Sequence, residues 1–236
     1  MTVNIPPTVI PTKWPRRQRF RRPWNTDPDV RLCYMPEVNT SWIDQSTHGN
    51  DGTIDGAAIA HNCRYGEGLY FDGVDDGVNA GSDASLDITD EYTLAAWFYP
   101  MTLPAGVSDQ TICKKKFDEL RIFIEKNTNR VRAYATLTTG SFSPQYDLPA
   151  ANVWYHGVIT VESGYQAFYV NNDLKATQNR TGVITVAAAN PLGVGVSNLL
   201  NSEYFHGYID EVLLINRAFD ASEVAALYEA GRPYEV

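Results

Sequence analysis

The chain has 236 residues, 44% of them hydrophobic and 20% charged, with a formal charge of −9. This is the balance of a globular protein with length for one large β-domain or two small ones. No apolar run approaches the roughly 18–20 residues that cross a bilayer, and Met1 to Ile10 lack the basic stretch and apolar core of a secretory leader, so we expect residence inside a cell or exit by another route, such as release of virus particles.

Residues 1–28 stand apart from the rest. Prolines at 6, 7, 11, 15, 23 and 28 deny a ladder of backbone bonds and favour an extended, polyproline-like arm. Six basic side chains against the single Asp27 give this arm a formal +5, so residues 29–236 carry −14. Trp14, Phe20 and Trp24 lie among Arg16, Arg17, Arg19, Arg21 and Arg22. That mixture suits anchoring to its own domain, to another copy or to a partner protein. A disordered tail is the plain alternative. Nucleic acid is a less favoured partner, because the acidic body would repel a polyanion.

From residue 29 the pattern is that of strands. Leu32–Met35 opens it, and Trp42–Thr53 is rich in turn formers. Gly68–Phe71 leads into Phe-Asp-Gly-Val-Asp-Asp-Gly-Val at 71–78, a hairpin corner in which aspartates can accept the turn's own amides. Asp75 and Asp76, adjacent in sequence, do not readily share one cation unless the turn is very tight. Tyr92–Tyr99 is apolar on both alternating faces and predicts a strand buried on both sides. Leu120–Glu125, Val131–Leu137, Val153–Val161, Tyr165–Val170, Pro191–Val196 and Tyr208–Ile215 continue the set, with Asn171-Asn172 as a hairpin turn. The one convincing helix is last: Asp220 caps it, Glu223 reaches back, Val224, Leu227 and Tyr228 share a face, and Gly231 ends it. Cys33, Cys63 and Cys113 are odd in number and widely spaced, which reads as buried single thiols, with one accidental pair as the alternative.

Four passages in order resemble the laminin-G-like domains of the concanavalin A-like lectin and glucanase superfamily. They are Gly68–Asp76, Tyr92–Pro100, Trp154–Thr160 with Tyr169-Val170-Asn171, and Gly207–Val212 running through Asn216–Phe219 to Leu227-Tyr228. The resemblance covers residues 30–232, with Asn171-Asn172 where the family has asparagine-glycine. It implies an all-β, two-sheet antiparallel jelly-roll sandwich with one short C-terminal helix, in a domain spanning 29–236 behind the extended N-terminal arm. The fold hosts lectins, enzymes and structural parts, so it does not by itself give function.

The resemblance also implies a possible structural calcium ion, with Asp44 or Asp51, Asn50 and Asp210 as its ligands; turn-capping carboxylates are the plain alternative. Glucanases of this fold place two carboxylates on one strand, a retaining pair sitting about 5–5.5 Å apart. Asp118-Glu119 and Asp210-Glu211 are adjacent, and adjacent strand residues point to opposite faces, while Glu125 stands alone. None of His48, His61, His156 and His206 forms a ligand pair, and His156 reads as a core residue. Tyr65, Tyr146, Tyr165 and Tyr204 in or beside loops are available to a sugar, and nothing in the sequence says which converge. The reading is therefore a non-enzymatic surface component of a virion, such as a phage decoration, tail or fibre protein. Its arm would anchor it to virion proteins or to copies of itself, and its outward domain would be free to meet host glycans. A secreted or cell-surface lectin module is the alternative, and a degenerate glycan hydrolase ranks below it.

Overall fold

The computed structural model describes residues 28–38, 41–104, 108–116, 120–184, 190–197 and 201–230. Two antiparallel sheets face each other. The first runs β15 (Asp173–Gln178), β14 (Tyr165–Val170), β13 (Tyr155–Glu162), β7 (Tyr92–Pro100) and β17 (His206–Ile215). Beyond β17 its two halves take different partners: Val212–Ile215 pairs β1 (Val30–Val38), and His206–Ile209 pairs β5 (Gly66–Asp72), which carries β4 (Ala58–Cys63) at the edge. The second sheet runs β10 (Arg130–Leu137), β9 (Leu120–Ile124), β8 (Gln110–Lys116), β16 (Gly193–Val194), β6 (Gly77–Asn79) and β3 (Gly52–Asp55). Short strands β11 (Gly140–Phe142) and β12 (Gln145–Asp147) flank β10, and β2 (Ser41–Asp44) pairs both β1 and β3, joining the sheets.

Between the sheets lies the main core, including Tyr34, Phe71, Leu94, Phe98, Ile122, Val131, Ile159, Phe168 and Ile209. Strand alternation sends every second residue outward, and on β7 and β17 those residues are large and apolar as well. Helix α1 (Ala221–Ala230) therefore lies across the outer face of the first sheet, where Val224 and Leu227 pack with Ala95, Val158, Tyr169, Leu213 and Ile215. A β-bulge between Asp210 and Leu213, with Glu211 at φ 53°, resets the alternation. Before it Tyr208 and Ile209 face out and in; after it Val212 and Leu214 face in while Leu213 and Ile215 face out.

The local predictions hold. Asp220 Oδ1 accepts from Ser222 N and Glu223 N at 2.8 and 2.9 Å, and Glu223 Oε2 accepts from Asp220 N at 3.0 Å, which is the reciprocal capping box. Asn171 and Asn172 take φ 54° and 66°, as a two-residue hairpin turn requires. Cys33, Cys63 and Cys113 are buried thiols outside any disulfide, and burial pushes the Cys113 thiol up to about 12. Gly231 and arm residues 1–27 lie outside the described residues. The sequence pattern missed β8 because its lysines are buried: Lys114 Nζ meets Glu203 Oε2 at 2.8 Å, and Lys115 Nζ meets Asp87 Oδ1 at 3.0 Å.

The tightest backbone approach is at the start of β17. A Cβ on Gly207, at φ +147°, would stand 2.0 Å from the Tyr99 carbonyl oxygen. Gly207→Ala should lower the urea-unfolding free energy by about 3 kcal/mol, whereas Gly164→Ala, at φ +103° with open space around it, should cost about 1–2 kcal/mol. Equal losses at both positions would refute the steric account.

Candidate binding face

The outer face of the first sheet is layered in rows that follow the strand register. Next to the helix lies a closed row. Asp210 stands opposite Trp97, and Trp97 stands opposite His156. The indole is stacked by His156 at 4.8 Å and by Tyr228 of α1 at 5.2 Å, with the Arg64 guanidinium 4.3 Å from its centroid. Burial, and then the charge of Arg64, lowers the His156 pKa to about 3. The imidazole is thus neutral and structural, in line with the core position that the family resemblance implies for it. Because the unfolded chain takes up this proton near pH 6.5 and the folded one does not, stability falls as pH drops below about 6.5, by about 1.4 kcal/mol per unit until near the folded value. His156→Phe should flatten the urea-midpoint profile between pH 7 and pH 5; an unchanged slope would contradict the neutral, buried assignment.

One step further from the helix the row is open. Tyr70 on β5 faces Tyr208 on β17, and Tyr208 faces Tyr99 on β7. Tyr155 pairs with Phe98, so the preceding residue, Trp154, falls beside Tyr99. Ring centroids are 5.2 Å apart for Tyr70–Tyr208, 5.7 Å for Tyr208–Tyr99 and 5.6 Å for Tyr99–Trp154, with planes tilted by 50–69°. Edge-to-face tilting of this kind is the favoured packing of aromatic pairs. Tyr208 is 8% exposed, while Tyr70, Tyr99 and Trp154 are half-buried and keep part of their surface in solvent. Ala60, Cys63 and Met101 pack beneath and beside the rings.

A polar rim borders this row. His206 lies 6.4 Å from Tyr70, edge to face, and its Nδ1 is 2.9 Å from Thr102 Oγ1. Two residues past Tyr70 begins the 72–76 corner, which is tighter than the sequence suggested. Ligand atoms of Asp72, Asp75 and Asp76 all lie within 4.8 Å of one another. Asp72 Oδ1 accepts Val74 N at 2.8 Å, and Asp76 Oδ2 accepts Asp72 N at 2.8 Å, as expected of a self-bonded turn. Burial raises the Asp76 pKa, outweighing the Asp72 amide, and the carboxylates of Asp72, Asp75 and Asp55 add to the rise.

The expected calcium ligands are not assembled as a set. Asp44, Asn50 and Asp51 do come together, but as a backbone clamp. Asp44 Oδ1 accepts Cys33 N and Ser46 N, both at 2.9 Å, and its Oδ2 accepts Ser46 Oγ at 2.6 Å and Asn50 N at 2.8 Å. Four donors occupy the carboxylate positions that a cation would use. Asp51 Oδ1 accepts Asp44 N, and the Asn50 amide donates to Arg31 O and Ser85 Oγ. Asp51 also lines a shallow cleft with His48, Asn50, Asn79 and Asp83. Asp210 lies elsewhere, buried on β17 with its Oδ2 on Tyr65 N at 2.8 Å. Tyr146, Tyr165 and Tyr204 share no ring contact with one another among the described residues; Tyr146 instead sits under Lys175 Nζ at 4.3 Å. The rings that do converge, Tyr70, Tyr99, Trp154 and Tyr208, were read in the sequence as strand residues. Their signal is an aromatic at an outward position beside inward apolar neighbours, as with Tyr70 between Leu69 and Phe71. Asp44→Ala strands three backbone amides and should cost about 3 kcal/mol or more in urea unfolding; a loss below about 1 kcal/mol would contradict the clamp.

Among curated proteins none matches the sequence. Solved structures match the fold. The receptor binding domain of botulinum neurotoxin mosaic serotype C/D superposes with TM-score 0.67 at 14% identity, over 86% of this chain and 51% of that one. The binding domain of Paraclostridial Mosquitocidal Protein 1 gives 0.67 at 14%, over 86% and 52%. Domain 4 of AbnA, a GH43 extracellular arabinanase from Geobacillus stearothermophilus solved with arabinotriose, gives 0.65 at 19%, over 85% and 98%. The chain thus spans about half of the toxin binding domains and nearly all of the arabinanase domain. A family model, Laminin_G_3, matches residues 72–225, which hold β6 to β17, the cap of α1 and three of the four rings of the open row. The chain belongs to that family, within the Concanavalin A-like lectin/glucanases superfamily.

Proposed function

We propose that the protein is a non-enzymatic, lectin-like binding protein that takes a glycan on the open row of Tyr70, Tyr208, Tyr99 and Trp154. The observation that carries this reading is the register that lines four aromatic rings across adjacent strands on a solvent-facing surface. Sugar rings present apolar C–H faces that pack on aromatic rings, while their hydroxyls pair with rim groups such as His206 and Asp72. Domain 4 of AbnA, solved with arabinotriose, supports a glycan as ligand for a domain of this shape. Binding is favoured over hydrolysis because three carboxylates that could serve an acid–base pair are held in structural contacts: Glu203 on Lys114 and Thr111, Glu125 on Arg132, and Asp210 on Tyr65 N.

In the same proposal the domain is displayed on the surface of a particle such as a phage virion, with the +5 arm of residues 1–28 as its anchor to virion proteins or to further copies of the chain. The charge contrast between that arm and the −14 remainder supports this part. Deleting residues 1–28 should abolish incorporation into the particle while leaving the melting temperature of the domain unchanged; incorporation at the full level would rule the anchor out.

For the binding face, titration calorimetry against a glycan panel should find a ligand whose affinity drops about tenfold or more, roughly 1.4 kcal/mol, in Trp154→Ala and in Tyr99→Ala. Tyr165→Ala, which removes a 40% exposed ring on β14 away from the row, should bind as the parent does. Unfolding curves confirm that each variant is folded. A ligand whose binding ignores Trp154 and Tyr99 would place the site elsewhere.

A further inference from the structure

The row has a length, a direction and a charge environment, and together these narrow the ligand. Resting on the glycan-binding reading, we infer that the site grips the interior of an extended, unbranched glycan chain whose sugars carry no carboxylate or sulfate.

The first observation is the spacing. The four rings run perpendicular to the strands, on β5, β17 and β7 and at the residue just before β13, with centroids 5.2, 5.7 and 5.6 Å apart. This period is set by the lateral distance between neighbouring strands, ~4.8 Å, opened slightly by ring tilt. It is comparable with the length of one sugar unit in an extended chain. A ligand lying along the row therefore meets one aromatic ring per sugar. Tyr208, at 8% exposure, offers only a sliver between its neighbours. Consecutive sugars would rest on Tyr70, pass over Tyr208, and rest again on Tyr99 and Trp154. A branch would have to leave from the solvent side at each of these positions, and a coiled chain would lose contact after one or two rings.

The second observation is that the row is open at both ends. Beyond Tyr70 the register continues only to Ala58 on the edge strand β4, a side chain of one carbon. Beyond Trp154 no paired strand follows, because β14 joins β13 only from Gly157 onward. A pocket for a chain end needs a wall, and no strand paired beyond Ala58 or beside Trp154 supplies one. The site can thus hold the middle of a long polymer.

The third observation is charge. Asp72 follows Tyr70 by two residues on the same side of β5, and it shares the corner with Asp75 and Asp76. The remainder of the chain after the arm carries −14. An anionic sugar laid along the row would approach three clustered carboxylates within a strongly negative field, whereas hydroxyls can donate to them.

The test uses the full chain and calorimetry at low salt, with chelator present. The probes are linear oligomers of glucose, mannose, xylose, arabinose and N-acetylglucosamine, each of two to six units, with uronate and sulfated oligomers of matching length. For the class that binds, affinity should climb at least tenfold between two and four units and flatten beyond, and capping or reducing the chain end should leave it unchanged. Uronate or sulfated oligomers should bind at least tenfold more weakly, and added salt should narrow that gap. Tyr99→Phe should keep the length dependence and Tyr99→Ala should lose it, which separates ring stacking from loss of fold. Affinity that is complete at two units, that needs a free chain end, or that favours anionic sugars would overturn this inference while leaving glycan binding intact. If no oligomer or arrayed glycan binds at all, the underlying glycan reading fails and this inference fails with it.

Discussion

Two strands that are apolar on both faces govern this molecule. β7 and β17 supply the sandwich interior with Leu94, Phe98, Ile209 and Leu214, yet their outward residues include Ala95, Trp97, Tyr99, Tyr208 and Leu213. A strand of this kind must be covered twice, because each large apolar group left in water forfeits about 1.5–3 kcal/mol. The fold answers in steps along one face. Helix α1 covers the end near Leu213 and Ile215, and the stack of Trp97, His156, Tyr228 and Arg64 covers the middle. At the far end the rings of Tyr70, Tyr208, Tyr99 and Trp154 cover chiefly one another. The proposed binding face is the part of a structural requirement that the domain meets least completely.

The bulge at Glu211 makes this division possible. Without the reset between Asp210 and Leu213, the alternation that turns Tyr208 outward would also turn Val212 outward and Leu213 inward. The helix-covered patch and the open row would then not occupy the same side of the sheet. Gly207 acts at the other end of the same strand, where close approach to the Tyr99 carbonyl leaves no room for a side chain. The row is therefore flanked by backbone constraints at both ends of the His206–Leu213 segment.

What was legible in the sequence was local or strongly periodic. The capping box at Asp220 and Glu223, the Asn171-Asn172 turn and the doubly apolar strand at 92–99 each depend on a few neighbouring residues, and each is present in the structure. Four ordered motifs gave the fold, and Laminin_G_3 covers residues 72–225. Strand β8 was hidden because Lys114 and Lys115 read as solvent residues, and only distant Glu203 and Asp87 explain their burial. Two functional readings depended on register that no local pattern holds. Asp44, Asn50 and Asp51 are close in sequence and in space, but Asp210 sits on β17 opposite Trp97 and accepts from Tyr65 N. Tyr70, Tyr99, Trp154 and Tyr208 could each be given a face from alternation; which strand lies next to which decides that they form one row. The compactness of the 72–76 corner was likewise invisible, since it rests on Asp76 folding back onto the Asp72 amide.

The central claim is that the outer row of the first sheet, and no other face, receives the ligand. A crystal structure of the full chain with a bound linear neutral tetrasaccharide tests it most directly. The account predicts sugar density running perpendicular to β5, β17 and β7, one unit per ring from Tyr70 to Trp154, with hydroxyls facing His206 and Asp72. Density in the cleft beside Asn50, Asp51 and Asp83, or on the outer side of the second sheet with the aromatic row bare, would contradict it.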